Sequence, residues 1–134
     1  MIRTLIGLGL AVLAATPAFA AQHDPGYAGG GRGKPAAKLT VSYIPASGAA
    51  VAVPLECDPP GGDHPRPKAA CAELAAVGGD PAKIEPTRHM ACFLIYQPVT
   101  VKIAGSWHGT AVDWQHTYGN SCDTRRALRS LIPL

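Results

Sequence analysis

Charge is scarce in this chain: 16% of its 134 residues are Asp, Glu, Lys or Arg, against roughly 25% in an average soluble protein. Glycine and proline together make up about a fifth of it. Both features argue against a long coiled coil or an all-helical bundle. The formal net charge is +3, with no basic stripe interleaved with aromatics, so nucleic acid is not an expected partner. Motifs of catalysis are missing too. There is no Gly-x-Ser-x-Gly, no His-Glu-x-x-His and no glycine loop built to cradle phosphate. Ser106, His108 and Asp113 can be written as a triad on paper, but any chain of this length offers such a set. No catalytic residue is assigned and no enzyme is expected.

What is present begins at the N-terminus. Arg3 is followed by an uncharged apolar run from Leu5 to Ala15 and by Ala18-Phe19-Ala20. That is the layout of a secretory signal peptide over 1–20, too short for a confident membrane span. Cleavage after Ala20 would remove Arg3 and lower the formal charge from +3 to +2. No later run approaches membrane length, so an extracellular product with no membrane attachment is expected.

Export sets the reading of the cysteines, since thiols outside the cell are oxidised. Cys57, Cys71, Cys92 and Cys122 allow three pairings. The sequential one would close two local loops, each worth about 3–4 kcal/mol in the chain-entropy model. Zinc is the rival reading. It is disfavoured because Cys-x-x-Cys is absent and the histidines are scattered, so neither metal nor cofactor is expected.

Residues 21–37 are Gly, Ala, Pro and polar residues without apolar period, a flexible leader. An ordered domain is expected over 38–134. Leu39, Val41 and Tyr43 alternate with polar residues and predict a strand ended by Pro45. Val51, Val53 and Leu55 predict a second, with Pro54 arguing for an edge or a bulge. Lys68 to Val77 predicts a short helix that places Cys71, Leu74 and Ala75 on one face. A further helical turn is expected over Asp80 to Glu85. Val99, Val101 and Ile103, a turn at Gly105 to Gly109, then Val112, Trp114, His116 and Tyr118 predict a long antiparallel hairpin. His64, His89 and His108 are expected on solvated loops and His116 half-buried on the hairpin. The fold class is α+β with an antiparallel sheet.

The segment Arg88 to Pro98 reads two ways. Phe93-Leu94-Ile95-Tyr96 could be a buried strand running into Val99, or an exposed apolar loop of the kind monomers rarely keep without a partner.

Five stretches together carry a resemblance. They are Leu55-Glu-Cys-Asp-Pro-Pro-Gly-Gly-Asp-His-Pro65, Ala70-Cys-Ala-Glu-Leu-Ala-Ala-Val-Gly-Gly-Asp80, Met90-Ala-Cys-Phe-Leu-Ile-Tyr-Gln-Pro-Val-Thr-Val101, Gly105-Ser-Trp-His-Gly109 and Tyr118-Gly-Asn-Ser-Cys122. This pattern resembles the Streptomyces-type subtilisin inhibitors, secreted inhibitors of serine proteases. The resemblance implies about five antiparallel strands, two short helices, disulfides Cys57–Cys71 and Cys92–Cys122, and a homodimer. It implies a reactive bond between Leu94 and Ile95 within a contact loop of Met90, Ala91, Cys92, Phe93, Tyr96, Gln97 and Pro98. Asn120 would support that loop from beneath. The chain departs from the pattern at Phe93, where a compact residue is common, at Gln97, which replaces a common aspartate, and in a tail carrying Arg125, Arg126 and Arg129. The alternative is a secreted binding module on the same scaffold without effective protease inhibition.

Overall fold

The structure is a computed structural model that describes residues 33–134. The expected signal peptide, and the expected leader as far as residue 32, lie outside the described residues. β1 (Ala37–Pro45) starts one residue before the expected domain boundary. Ala37 is fully buried and pairs with Cys57 on one side and Trp107 on the other, so it belongs to the sheet. Then follow β2 (Val51–Cys57), the two-residue β3 (Gly61–Gly62) and α1 (Pro67–Ala75). After a 3-10 turn at Pro81–Lys83 come β4 (Val99–Trp107), β5 (Thr110–Tyr118), α2 (Ser121–Leu128) and a last 3-10 turn at Arg129–Leu131.

The strands form one antiparallel sheet ordered β3-β2-β1-β4-β5. Strict alternation along β1 and β4 puts Leu39, Val41, Tyr43, Val99, Val101 and Ile103 on one face. Leu55 and Cys57 join them from β2, and Leu74, Leu128, Leu131 and Ile132 close the core from the helical side. The opposite face presents Lys38, Thr40, Lys102, Ser106, Asp113 and Gln115 to solvent. Pro54 is tolerated in β2 because its carbonyl accepts from Asp63 N on the outer side, where β3 covers only Leu55 and Glu56. Its missing N–H faces that same side, so no bond to β1 is lost.

Four features of the scaffold differ from, or add to, those expected. The hairpin turn is tighter than Gly105 to Gly109: β4 runs to Trp107, and only His108 (φ 45°) and Gly109 (φ 83°) turn, both left-handed as a two-residue hairpin demands. Gly105 lies inside β4 instead, at φ 143°. A β-carbon there would collide with the Lys38 carbonyl oxygen of β1, so only glycine lets the two strands approach. The buried face of α1 is Ala70, Cys71 and Leu74, with Ala75 outside. The tail is the helix α2, which the apolar pattern did not announce.

His64 is the fourth change: it is buried, not solvated. Its Nε2 donates to the Leu131 carbonyl at 3.0 Å and its Nδ1 accepts from Arg66 N at 3.0 Å. An Nδ1 that accepts is unprotonated, so this ring is neutral. Burial lowers its pKa below 6.5, the Leu131 carbonyl opposes that, and the nearby Arg66 charge adds to the lowering. Both disulfides follow the implied pairing, Cys57–Cys71 inside the core and Cys92–Cys122 near the surface.

Candidate functional site

The core leaves one apolar segment outside itself. From Met90 to Pro98 the backbone forms neither helix nor strand, and β4 starts only at Val99. Phe93, Leu94, Ile95 and Tyr96 are 85%, 105%, 58% and 81% exposed. The exposed-loop reading therefore holds over the buried strand. Leu94 is as accessible as a side chain on an extended peptide, so whatever binds this loop meets that leucine first.

Exposure of this kind would ordinarily come with a slack backbone, but this one is tied from beneath. Asn120, 8% exposed, donates from Nδ2 to Phe93 O at 3.1 Å and to Ile95 O at 2.9 Å. The peptide bond from Leu94 to Ile95 lies between those two carbonyls, so one amide group grips the chain on both sides of it. The Asn120 side chain is itself held. Its Oδ1 accepts from Asp123 N at 2.9 Å as the N-cap of α2. Its main-chain carbonyl accepts from the buried Thr124 hydroxyl at 2.9 Å. The cap explains why α2 starts where it does: Asn120 with Asp123 three residues on is a helix-start signal that hydrophobic periodicity overlooks.

Further ties flank the grip. The Cys92–Cys122 bridge anchors the loop two residues before Leu94. On the far side Gln97 N donates to Gly119 O at 2.8 Å and Ala46 N to Pro98 O at 2.9 Å. Upstream, Thr87 N donates to Arg126 O at 2.8 Å. Most of these partners lie between Gly119 and Arg126, so the junction of β5 and α2 is the loop's foundation. Gly119 and Ala46 were not singled out from the sequence. Their contribution is a main-chain atom, which residue type does not advertise.

Cys92 and Pro98 are half-buried at the two ends, Met90 is half-buried, and Ala91 and Gln97 are exposed. Arg88 and His89 are exposed as expected, His89 at a left-handed φ of 63°. His116 is exposed rather than half-buried. It stands in a row with Trp114 and Tyr118, ring centroids 6.3 and 4.6 Å away. The paper triad is not assembled: His108 Nε2 pairs with Asp58 Oδ2 at 2.7 Å, not with Asp113. Among the described residues, no three His, Cys, Asp or Glu side chains gather as metal ligands would.

A chain that offers an exposed, apolar segment backed by hydrogen bonds can occupy a cleft that binds peptides as strands. Comparison with known proteins bears on what that cleft is. The sequence profile of the subtilisin inhibitor-like family matches residues 35–120. The subtilisin inhibitor of Streptomyces violaceus is 40% identical over 138 aligned positions, covering 96% of this chain and 94% of that protein. Subtilisin inhibitor-like protein 1 of Streptomyces cacaoi is 44% identical over 84 residues, 60% of this chain and 76% of its own. Among solved structures, Streptomyces caespitosus sermetstatin in complex with Bacillus licheniformis subtilisin superposes with a TM-score of 0.60 at 31% identity. The match covers 70% of this chain and 93% of sermetstatin.

Proposed function

We propose that this chain, which belongs to the subtilisin inhibitor-like family, is a secreted inhibitor of subtilisin-like serine proteases that is bound as a substrate is. The reactive bond is Leu94–Ile95, and Met90 to Pro98 is the contact segment. The observation that carries this reading is the pairing of a fully exposed Leu94 with a backbone gripped on both sides by Asn120.

Leu94 enters the protease's specificity pocket. Burying a leucine there contributes about 1.5–3 kcal/mol. An acidic pocket made for Arg or Lys would have its own charge desolvated against an apolar side chain. Subtilisin-like enzymes are therefore the first targets, chymotrypsin-like enzymes the second, and trypsin a poor one. The main chain on either side pairs with the cleft as an added strand. Because the loop is already ordered, little conformational entropy is lost on binding.

The same ties account for inhibition rather than digestion. When the protease serine attacks Leu94 C, the Ile95 amine is the leaving group. In an ordinary substrate it diffuses away. Here Asn120 holds Ile95 O, and Gly119 holds Gln97 N, so the amine stays beside the acyl-enzyme. Religation then competes with hydrolysis, and turnover is slow while affinity stays high.

Titration of active-site-counted subtilisin with the purified chain tests the reading, with mass spectrometry of the mixture. A sharp one-to-one endpoint with slow scission after Leu94 is expected. Rapid cutting with undiminished protease activity would sink it. Export and a homodimer belong to the same proposal. N-terminal sequencing of protein from the culture medium should begin at Ala21, and light scattering should give twice the chain mass.

A further inference from the structure

Arg129 sits where its backbone does not want an arginine. It follows α2 with φ 47° and ψ −113°. That is the first central position of a type II′ turn, a place that glycine takes because a β-carbon is crowded there. The chain tolerates the strain, and the side chain indicates what holds it. Arg129 Nε lies 3.3 Å from Glu73 Oε2 on α1, and Arg129 Nη2 donates to Glu85 O at 3.3 Å. Its own N–H caps α2 by donating to Arg125 O. One guanidinium thus joins α1, the end of α2 and the point where the chain leaves the core toward the loop.

That point is otherwise thinly held. Ile84 still packs against the core, and Cys92 is fixed by its disulfide. Between them, among the described residues, the hydrogen bonds that reach the rest of the molecule from the segment's backbone are those of Arg129 Nη2 to Glu85 O and of Thr87 N to Arg126 O. One ends on the residue that caps α2, the other on its last turn. The Arg88–Glu85 pair is local and 85% exposed on both sides, too solvated to fix anything.

We propose that Arg129 is a positioning residue for the reactive loop: it fixes the upstream stem, 85–91, so that in the complex the Leu94 side of the attacked bond stays in register with the Ile95 amine. This rests on the protease-inhibitor reading above. An observed outlier that a side-chain network over-determines is the pattern expected when local strain serves a function.

Arg129→Gly separates this role from a merely structural one, since glycine removes the guanidinium and relieves the backbone at once. The melting temperature is expected to stay within about 4 °C of the parent, and association with subtilisin to be unchanged. Scission after Leu94 in the complex should speed up about three- to ten-fold, the factor that one hydrogen bond of ordinary strength is worth. Amide exchange at Thr87, read on the free protein, should accelerate by a similar factor while exchange in β1 and β4 does not. Arg129→Lys, which keeps the charge but reaches one partner at a time, should fall between. Unchanged scission together with unchanged Thr87 exchange overturns the proposal, and so does a uniform rise of exchange across the sheet with a lowered melting temperature. If the parent chain fails to inhibit subtilisin at all, the function proposed above falls. Thr87 exchange then still decides whether Arg129 fixes the stem.

Discussion

The two disulfides look alike and hold different things. Cys57–Cys71 joins the end of β2 to α1, with both residues buried, across a sequence separation of 14. Cys92–Cys122 joins the loop to the first turn of α2, both residues half-buried, across 30. The chain-entropy model gives the two bridges similar worth, about 3 and about 3.6 kcal/mol. Their difference lies in what stays put when each is cut. The first secures the packing of helix on sheet. The second secures a segment that packs on nothing, so its contribution shows in how the loop is presented.

The sharpest test of that division acts on neither bridge. Leu94→Lys changes only the exposed tip, so stability should not move. Inhibition of subtilisin should weaken by about 100- to 1,000-fold, as expected for an unpaired charge placed in an apolar pocket, and trypsin should become a target. Inhibition constants against both enzymes check it. Next in size, replacing Cys57 and Cys71 together by serine should lower the unfolding free energy by about 3 kcal/mol. The fraction that remains folded should still titrate subtilisin one to one. If scission at Leu94–Ile95 accelerates as much as stability falls, the two bridges are not divided as argued.

Asn120→Ala attacks the foundation that the second bridge shares. It removes two loop tethers and a helix cap, so stability should fall by about 1–2 kcal/mol. Scission after Leu94 should rise by more than that loss alone explains, at least tenfold. Progress curves with subtilisin, set against urea unfolding, give both numbers. The smallest effect is on pH. His64 binds its proton more weakly folded than unfolded, so the unfolded chain gains protons first as pH falls. Its contribution to stability is complete above about 6.5 and is lost as pH falls from there through the lowered folded value, at no more than about 1.4 kcal/mol per unit. His64→Gln should flatten that limb of a stability–pH curve without touching inhibition. At the alkaline end burial raises the Tyr118 phenol above 10, so stability should fall once pH passes that value.

The sheet was legible because alternation is a direct imprint of a face: Leu39, Val41, Tyr43 and Val99, Val101, Ile103 are buried as their spacing requires. The turn was misplaced because glycine has two uses. Gly109 makes the turn, whereas Gly105 makes room for β1. α2 escaped because Ser-Cys-Asp-Thr-Arg-Arg carries no apolar stripe, and its start is written in a cap instead. His64 lies in a Gly-Pro loop that looks solvated. It is buried by a tail that returns from 67 residues away, which no local pattern records. The candidate site was half legible. An apolar run at 93–96 was plain, but periodicity cannot separate a buried strand from an exposed loop. Resemblance made that choice and also pointed to Asn120, whose two donated bonds then supplied the physical reason.

Asn120 serves two masters with one side chain, and this ties the loop to the life of a single helical turn. If the first turn of α2 frays, Asp123 N–H leaves Oδ1, and the amide that grips Phe93 and Ile95 loses its orientation. Such openings are local events that cost far less than unfolding the sheet. On warming, the molecule should therefore lose its endurance against a protease before it loses its shape, and its working ceiling is set by the flicker of α2.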